Sequence, residues 1–75
     1  IKGIKASFIF TEYQGKIFIS ARSIDEVNVQ VIMERLGGGG HMNIAGAQME
    51  DVPLEEAVRI MKNTLDRMIE EGDLS

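Results

Sequence analysis

The chain predicts a small two-layer α/β domain: a mixed sheet containing a hairpin, covered by two main helices, in the order β-β-α-β-α. Three observations carry this reading. Lys5 to Phe10 and Lys16 to Ala21 are rich in β-branched and aromatic residues and are separated by a polar segment ending in glycine. Two later stretches repeat their apolar residues at helical spacing instead. The 75 residues contain no cysteine, so one small core must stand without a disulfide or a thiolate–zinc site. Support from a partner is the expected substitute. Residues 1–75 therefore read as a single domain.

In the first strand Ala6, Phe8 and Phe10 share one side, with Ser7 and Ile9 on the other. Thr11 to Gly15 reads as a polar turn, which makes the two strands an antiparallel hairpin. Ser23 with Glu26 forms a capping box that predicts a helix over 24–36, and Gly37 stands where its left-handed cap belongs. Val29, Ile32, Met33 and Leu36 form one stripe of this helix, while Val27 and Val31 lie nearly opposite. Two stripes predict burial against two surfaces, the sheet and either the last helix or protein outside this chain. Ala45 to Glu50 is a weaker strand signal. Pro53 suits the first turn of the last helix, Glu55 and Glu56 its positive end, and Gly72 its stop. Leu54, Val58, Met61, Leu65 and Met68 give that helix one apolar face, expected to be a lid over the sheet.

Charge narrows the function classes. The net charge is −4, and it is uneven: residues 1–48 sum to +1, Lys2 included, and residues 49–75 to −5. Counterion displacement from nucleic acid needs a field of basic side chains, and none is present. Contact with phosphate must then rest on a few placed donors. The apolar stretches fall far short of the roughly 20 residues that span a bilayer, and no charged-then-apolar leader is visible. A soluble, cytoplasmic location without direct membrane contact is expected.

The informative segment is Gly37-Gly38-Gly39-Gly40-His41-Met42-Asn43. A glycine run is entropically costly and is useful where several backbone N–H groups must approach one anion. His41 beside it can donate to phosphate. The second candidate is Ser20-Ala21-Arg22-Ser23, read as the junction of a strand with a helix N-terminus, where free N–H groups suit an anion and Arg22 adds a planar fork. Ordinary readings stand beside each. A glycine run also serves as linker or helix stop, a lone histidine as a surface residue, Arg22 as an ion-pair partner of Asp25 or Glu26, and Ser23 as a cap. A single histidine among scattered carboxylates lacks metal-ligand spacing, and no nucleophile–base pair is evident. No catalytic residue is assigned to this chain.

Taken together, Ser20-Ala21-Arg22-Ser23, the helix after it, Gly38-Gly39-Gly40-His41 and Ala45-Gly46-Ala47 resemble the DHH-associated domain, the C-terminal partner of the DHH phosphoesterases. The family pattern is a glycine triplet, histidine, two variable residues, two alanines and a glycine; Ile44 stands at the first alanine position. Asn28 to Glu34 and the fourth glycine are most similar to the bacterial cyclic-di-AMP phosphodiesterases of that family, and the likeness spans about residues 5 to 62. The resemblance implies a hydrolase whose separate DHH domain holds two manganese ions and cuts a phosphodiester, while this domain grips the nucleotide. It implies that Ser20 and Arg22 bind phosphate, that Gly38, Gly39 and Gly40 approach it with backbone N–H groups, and that His41 donates to phosphate or base. Asn28 and Asn43 are implied as polar contacts to base or sugar. A β-branched residue at Gly39 is expected to do more harm than Gly37→Asn.

The implied partners are a cyclic or linear dinucleotide and the DHH domain of the same polypeptide, with the parent anchored in the bacterial membrane. The alternatives are a short-oligonucleotide phosphodiesterase, a nucleic-acid-binding module as at the end of alanyl-tRNA synthetase, and a homodimer contact through the twin-striped helix.

Overall fold

The computed structural model describes residues 5–73; Lys2 of the charge tally lies outside them. Strands β1 (Ala6–Tyr13) and β2 (Lys16–Ser23) pair antiparallel from Tyr13↔Lys16 to Ala6↔Ser23. The polar turn predicted over 11–15 contracts to Gln14 and Gly15, whose φ angles are 51° and 76°. Positive φ at both positions lets a two-residue turn follow the strand twist, so the strands run on through Tyr13 and Lys16.

Helix α1 spans Val29–Arg35 and begins at Val29 rather than at the predicted Ile24. Strand pairing is the reason. Ser23 ends β2 and its N–H donates to the Asn43 carbonyl at 2.9 Å, while the Ile24 and Asp25 N–H groups reach the Lys5 carbonyl at 2.9 and 3.3 Å. Asn28 caps the helix instead of Ser23, its Oδ1 accepting from the Gln30 and Val31 N–H groups at 3.0 and 3.4 Å. Asparagine and serine cap about equally well, so the strand contacts decide which one serves. At the other end Gly37 has φ 86°, its N–H bonds the Glu34 carbonyl at 3.1 Å, and the Gly38 N–H bonds the Met33 carbonyl at 2.8 Å. This is a Schellman cap, the helix stop expected of Gly37.

The next two glycines form a short strand, β3 (Gly39–Gly40), which turns back into β4 (Ile44–Glu50). The order in the sheet is β1-β2-β4-β3, and every ladder is antiparallel. The mixed sheet predicted from sequence is therefore corrected. The extra strand comes from inside the glycine run and returns through a hairpin, so no parallel crossover arises.

Helix α2 (Leu54–Glu71) follows Pro53, whose carbonyl accepts the Glu56 and Ala57 N–H groups, both at 3.1 Å. Gly72 closes it at φ 83°. Its inward face is Ala57, Met61, Leu65 and Met68; Leu54, expected in that stripe, is 42% exposed. These side chains and Val29, Ile32 and Met33 of α1 pack with Ile17, Ile19, Ala21 and Ala45 of the sheet into one core. Val31, of the second stripe on α1, packs against the same core, as does Val27 just ahead of the helix. Arg35 at the end of α1 ties both helices together through Glu71 and Asp73.

A candidate phosphate-binding face on the sheet

Alternation along β2 sends Ile17, Ile19 and Ala21 into the core and leaves Phe18, Ser20 and Arg22 on the opposite, uncovered face. The register carries that division across the sheet. One row is Ile9, Ser20, Gly46 and Gly39; another is Ser7, Arg22 and Ile44. His41 continues the second row, since its N–H donates to the Ile44 carbonyl at 2.8 Å. Two segments separated in sequence by all of α1 thus meet two strands apart, about 10 Å between backbones. Sequence alone left their meeting open; the β2–β4–β3 pairing supplies it.

Arg22 lines a hollow of about 560 Å³ with Ser7, Ile9, Ser20 and Ile44. Among the described residues its guanidinium takes part in no ion pair. Of the two acids considered as partners, Asp25 pairs with Lys5 at 3.8 Å, so Arg22 remains available to an anion. The helix N-terminus is not part of this site, contrary to the reading of Ser20–Ser23 as a strand–helix junction. The Val29 N–H is taken by the Met42 carbonyl at 3.0 Å, and the next two are taken by Asn28.

The four glycines divide by role. The Gly37 and Gly38 N–H groups are used in the helix cap. The His41–Ile44 bond sets the ladder so that Gly39↔Gly46 is the pair bonded inward and Gly40↔Ala45 the pair whose groups face away. The Gly40 N–H is therefore the one directed off the sheet edge. A run of N–H groups all aimed at one anion is not what this fold presents. Sterically, a Cβ on Gly38 would sit 2.0 Å from the Gly46 carbonyl oxygen, and one on Gly40, at φ 143°, would sit 2.5 Å from the Ala45 Cα. A Cβ on Gly39 meets no atom within 4 Å and needs no unusual φ. Within this domain, the harm expected from a β-branched residue at Gly39 does not arise at its Cβ.

Ser20 is exposed at mid-strand beside Gly46, and His41 and Asn43 are exposed in the β3–β4 connection. The main chain there is held by Asn43 and Met42 carbonyls accepting from Ser23 and Val29. Asn28 has its side-chain oxygen occupied as a cap, and the N–H of the next residue, Val29, meets the Met42 carbonyl of the β3–β4 connection. Phe18, Gln48 and Ile9, which were not candidates from sequence, line the hollows on this face, as does Ile44 of the family pattern. The signal was present in the alternation of β2, which places Phe18 on the side of Ser20 and Arg22. Among the described residues no three His, Asp or Glu side chains lie together as a metal site, and no helix is long and apolar enough to cross a membrane.

A sequence model of the DHHA1 domain matches residues 1–71. The cyclic-di-AMP phosphodiesterase GdpP of Geobacillus thermodenitrificans is 47% identical over 96% of this chain, which spans 11% of that protein. PdeA of Listeria monocytogenes, also a cyclic-di-AMP phosphodiesterase, is 46% identical over 88% of the chain and 10% of its own length. The crystal structure of an exopolyphosphatase-related protein from Bacteroides fragilis superimposes with a TM-score of 0.77 at 29% identity, over 91% of this chain and 20% of that one. This chain thus spans about a tenth of the curated relatives. It carries the glycine–histidine segment and the Ser20–Arg22 strand on one sheet face, and it belongs to the DHHA1 domain family.

Proposed function

We propose that this domain is the substrate-recognition part of a manganese-dependent DHH-family phosphodiesterase that hydrolyses cyclic-di-AMP. The observation that carries the reading is the juxtaposition, on one uncovered face, of an unpaired Arg22, Ser20 and the Gly39–His41 segment. A guanidinium fork can hold two oxygens of one phosphate. The Ser20 hydroxyl, two residues back on the same face, supplies a further donor. Gly39 and Gly40 let a ligand reach the backbone closely, and His41 donates to phosphate or base from the far end of the Arg22 row. Asn43, exposed in the same connection, is a contact to sugar or base. Asn28 contributes through the shape of α1 rather than by touching substrate.

The two manganese ions are assigned to a DHH domain of the same polypeptide, where they would activate water and neutralise charge. The parent is placed at the bacterial membrane, with this domain on its cytoplasmic side. One second reading is a linear phosphodiester substrate, because Arg22 needs a phosphate and not a ring.

The test is Arg22→Ala in the full-length polypeptide. Loss of a charge-assisted contact should cost about 1.5–3 kcal/mol in substrate use. Unchanged kinetics would remove Arg22 from the site. The separated domain should hydrolyse nothing with manganese added; turnover by nuclease-free material would end the division of labour.

A further inference from the structure

Arg22 accounts for one hollow on the open face, but a second adjoins it. It has a volume of about 600 Å³ and is lined by Phe18, Ser20, Gly38, Gly46 and Gln48, among others. Ser20 belongs to both. Phe18 is 38% exposed and stands directly opposite Gln48 in the β2–β4 register. The wall beside them is bare backbone, since Gly46 and Gly38 carry no side chain and the fold has no room for one at Gly38. From this we infer that the hollow takes the base of the nucleotide whose phosphate Arg22 holds, with Phe18 as the stacking surface and Gln48 as the group that selects adenine.

This rests on the phosphate reading of Arg22, and three features carry it beyond that reading. The spacing is right: Phe18 lies two residues from Ser20 and four from Arg22 on the same face, about 7 and 13 Å along the strand, a span that the long Arg22 side chain and one nucleotide can bridge. The surface is right: an aromatic side chain next to backbone free of side chains accepts a flat ring, and base–aromatic stacking is tolerant of base identity. Selection comes from the carboxamide. Among the described residues the Gln48 side chain makes no hydrogen bond within the protein, so it can offer a donor and an acceptor side by side. That pair matches the N7 and N6 edge of adenine, whereas guanine presents two acceptors there.

The experiment measures binding of adenosine 5′-monophosphate, guanosine 5′-monophosphate and ribose 5-phosphate to the full-length polypeptide and its variants. Phe18→Ala should weaken both nucleotides by about 5- to 140-fold, the effect of a stacking contact of 1–3 kcal/mol at 1.4 kcal/mol per tenfold. Ribose 5-phosphate should be held as before, and Phe18→Tyr should restore the nucleotides. Gln48→Ala should bring the adenine-to-guanine ratio close to one. An unchanged ratio overturns the selection by Gln48. Equal weakening of ribose 5-phosphate by Phe18→Ala overturns the base site, because the ring would then be packing against other protein. Should Phe18→Ala fail to fold, the Phe18→Tyr and Gln48→Ala ratios decide. Arg22→Ala separates the two layers of the reading. If it leaves ribose 5-phosphate binding intact, the phosphate assignment itself falls, whatever Phe18 does.

Discussion

Strand β2 offers two surfaces built from alternate residues of one segment. Ile17, Ile19 and Ala21 are at most 2% exposed, while Phe18, Ser20 and Arg22 share the other side and face solvent. The first set is uniformly apolar and shares one core with residues of both helices. The second mixes an aromatic ring, a hydroxyl and a cation, a combination that serves no core. A strand fully committed to stability would bury both sides or make the outer one plainly polar. The contrast separates an inner face that holds the domain together from an outer one left open to the contacts proposed above.

Substitution on the two sides should therefore separate stability from binding. Ile19→Ala should cost about 2–5 kcal/mol in urea unfolding, the usual loss for a buried isoleucine. Ser20→Ala, its neighbour, should change stability by no more than about 0.5 kcal/mol. Similar losses from both would break the contrast. The glycine run gives a second, smaller version of the same test. Gly38→Ala forces a methyl against the Gly46 carbonyl and should destabilise by about 1–3 kcal/mol. Gly39→Ala should unfold like the wild type yet bind nucleotide less well. A Gly39 variant that loses stability as well would return that residue to a purely structural role.

Much of this was legible in the sequence, because most of it is set by local pattern. The period of two in β1, the apolar face of α2 from Met61 to Met68 and the glycines at 37 and 72 each appear as expected. What was misread depended on competition between distant groups. Ser23 and Glu26 have the form of a capping box, yet Ser23 is claimed by β2 and the Asn43 carbonyl, and Glu26 sits at φ 56°. No local rule reveals that a strand will outbid a helix for the same residue. Likewise Gly39 and Gly40 read as a loop until β4 pairs with them, because glycine carries no strand propensity of its own. For the site, Ser20, Arg22 and the glycine–histidine segment were singled out by residue type, but their meeting is a property of sheet order. Phe18 and Gln48 were overlooked because a phenylalanine in a strand reads first as core.

Asn28 sharpens the contrast at an intermediate scale, since sequence pointed to substrate and the structure gives it a cap. Asn28→Ala should lower stability by about 1 kcal/mol, and Asn28→Ser should recover most of it. KM for a dinucleotide should stay unchanged in the serine variant. A KM that rises with Asn28→Ser while stability is preserved would put the side chain back against substrate.

The smallest effect concerns the clamp between the helix ends, made by Arg35 with Glu71 and Asp73. The Arg35 guanidinium hydrogen-bonds the Glu71 carboxylate and holds it below the usual glutamate range, partial desolvation opposing the shift; Asp73 joins at 2.5 Å. A carboxylate with a depressed folded-state pKa stabilises the fold above its unfolded value, about 4.3. That contribution is lost as pH falls through the lower folded value. Arg35→Gln should thus be slightly less stable than wild type at pH 7, with the gap closing as the solution is acidified below about pH 4. All three side chains are solvent-accessible, so the gap should also shrink as salt rises. Nucleotide binding should be the same in both proteins at pH 7. A binding loss in Arg35→Gln would mean that the clamp, through Leu36 and Gly37, sets the position of the glycine strand, and that the two faces are coupled instead of separate.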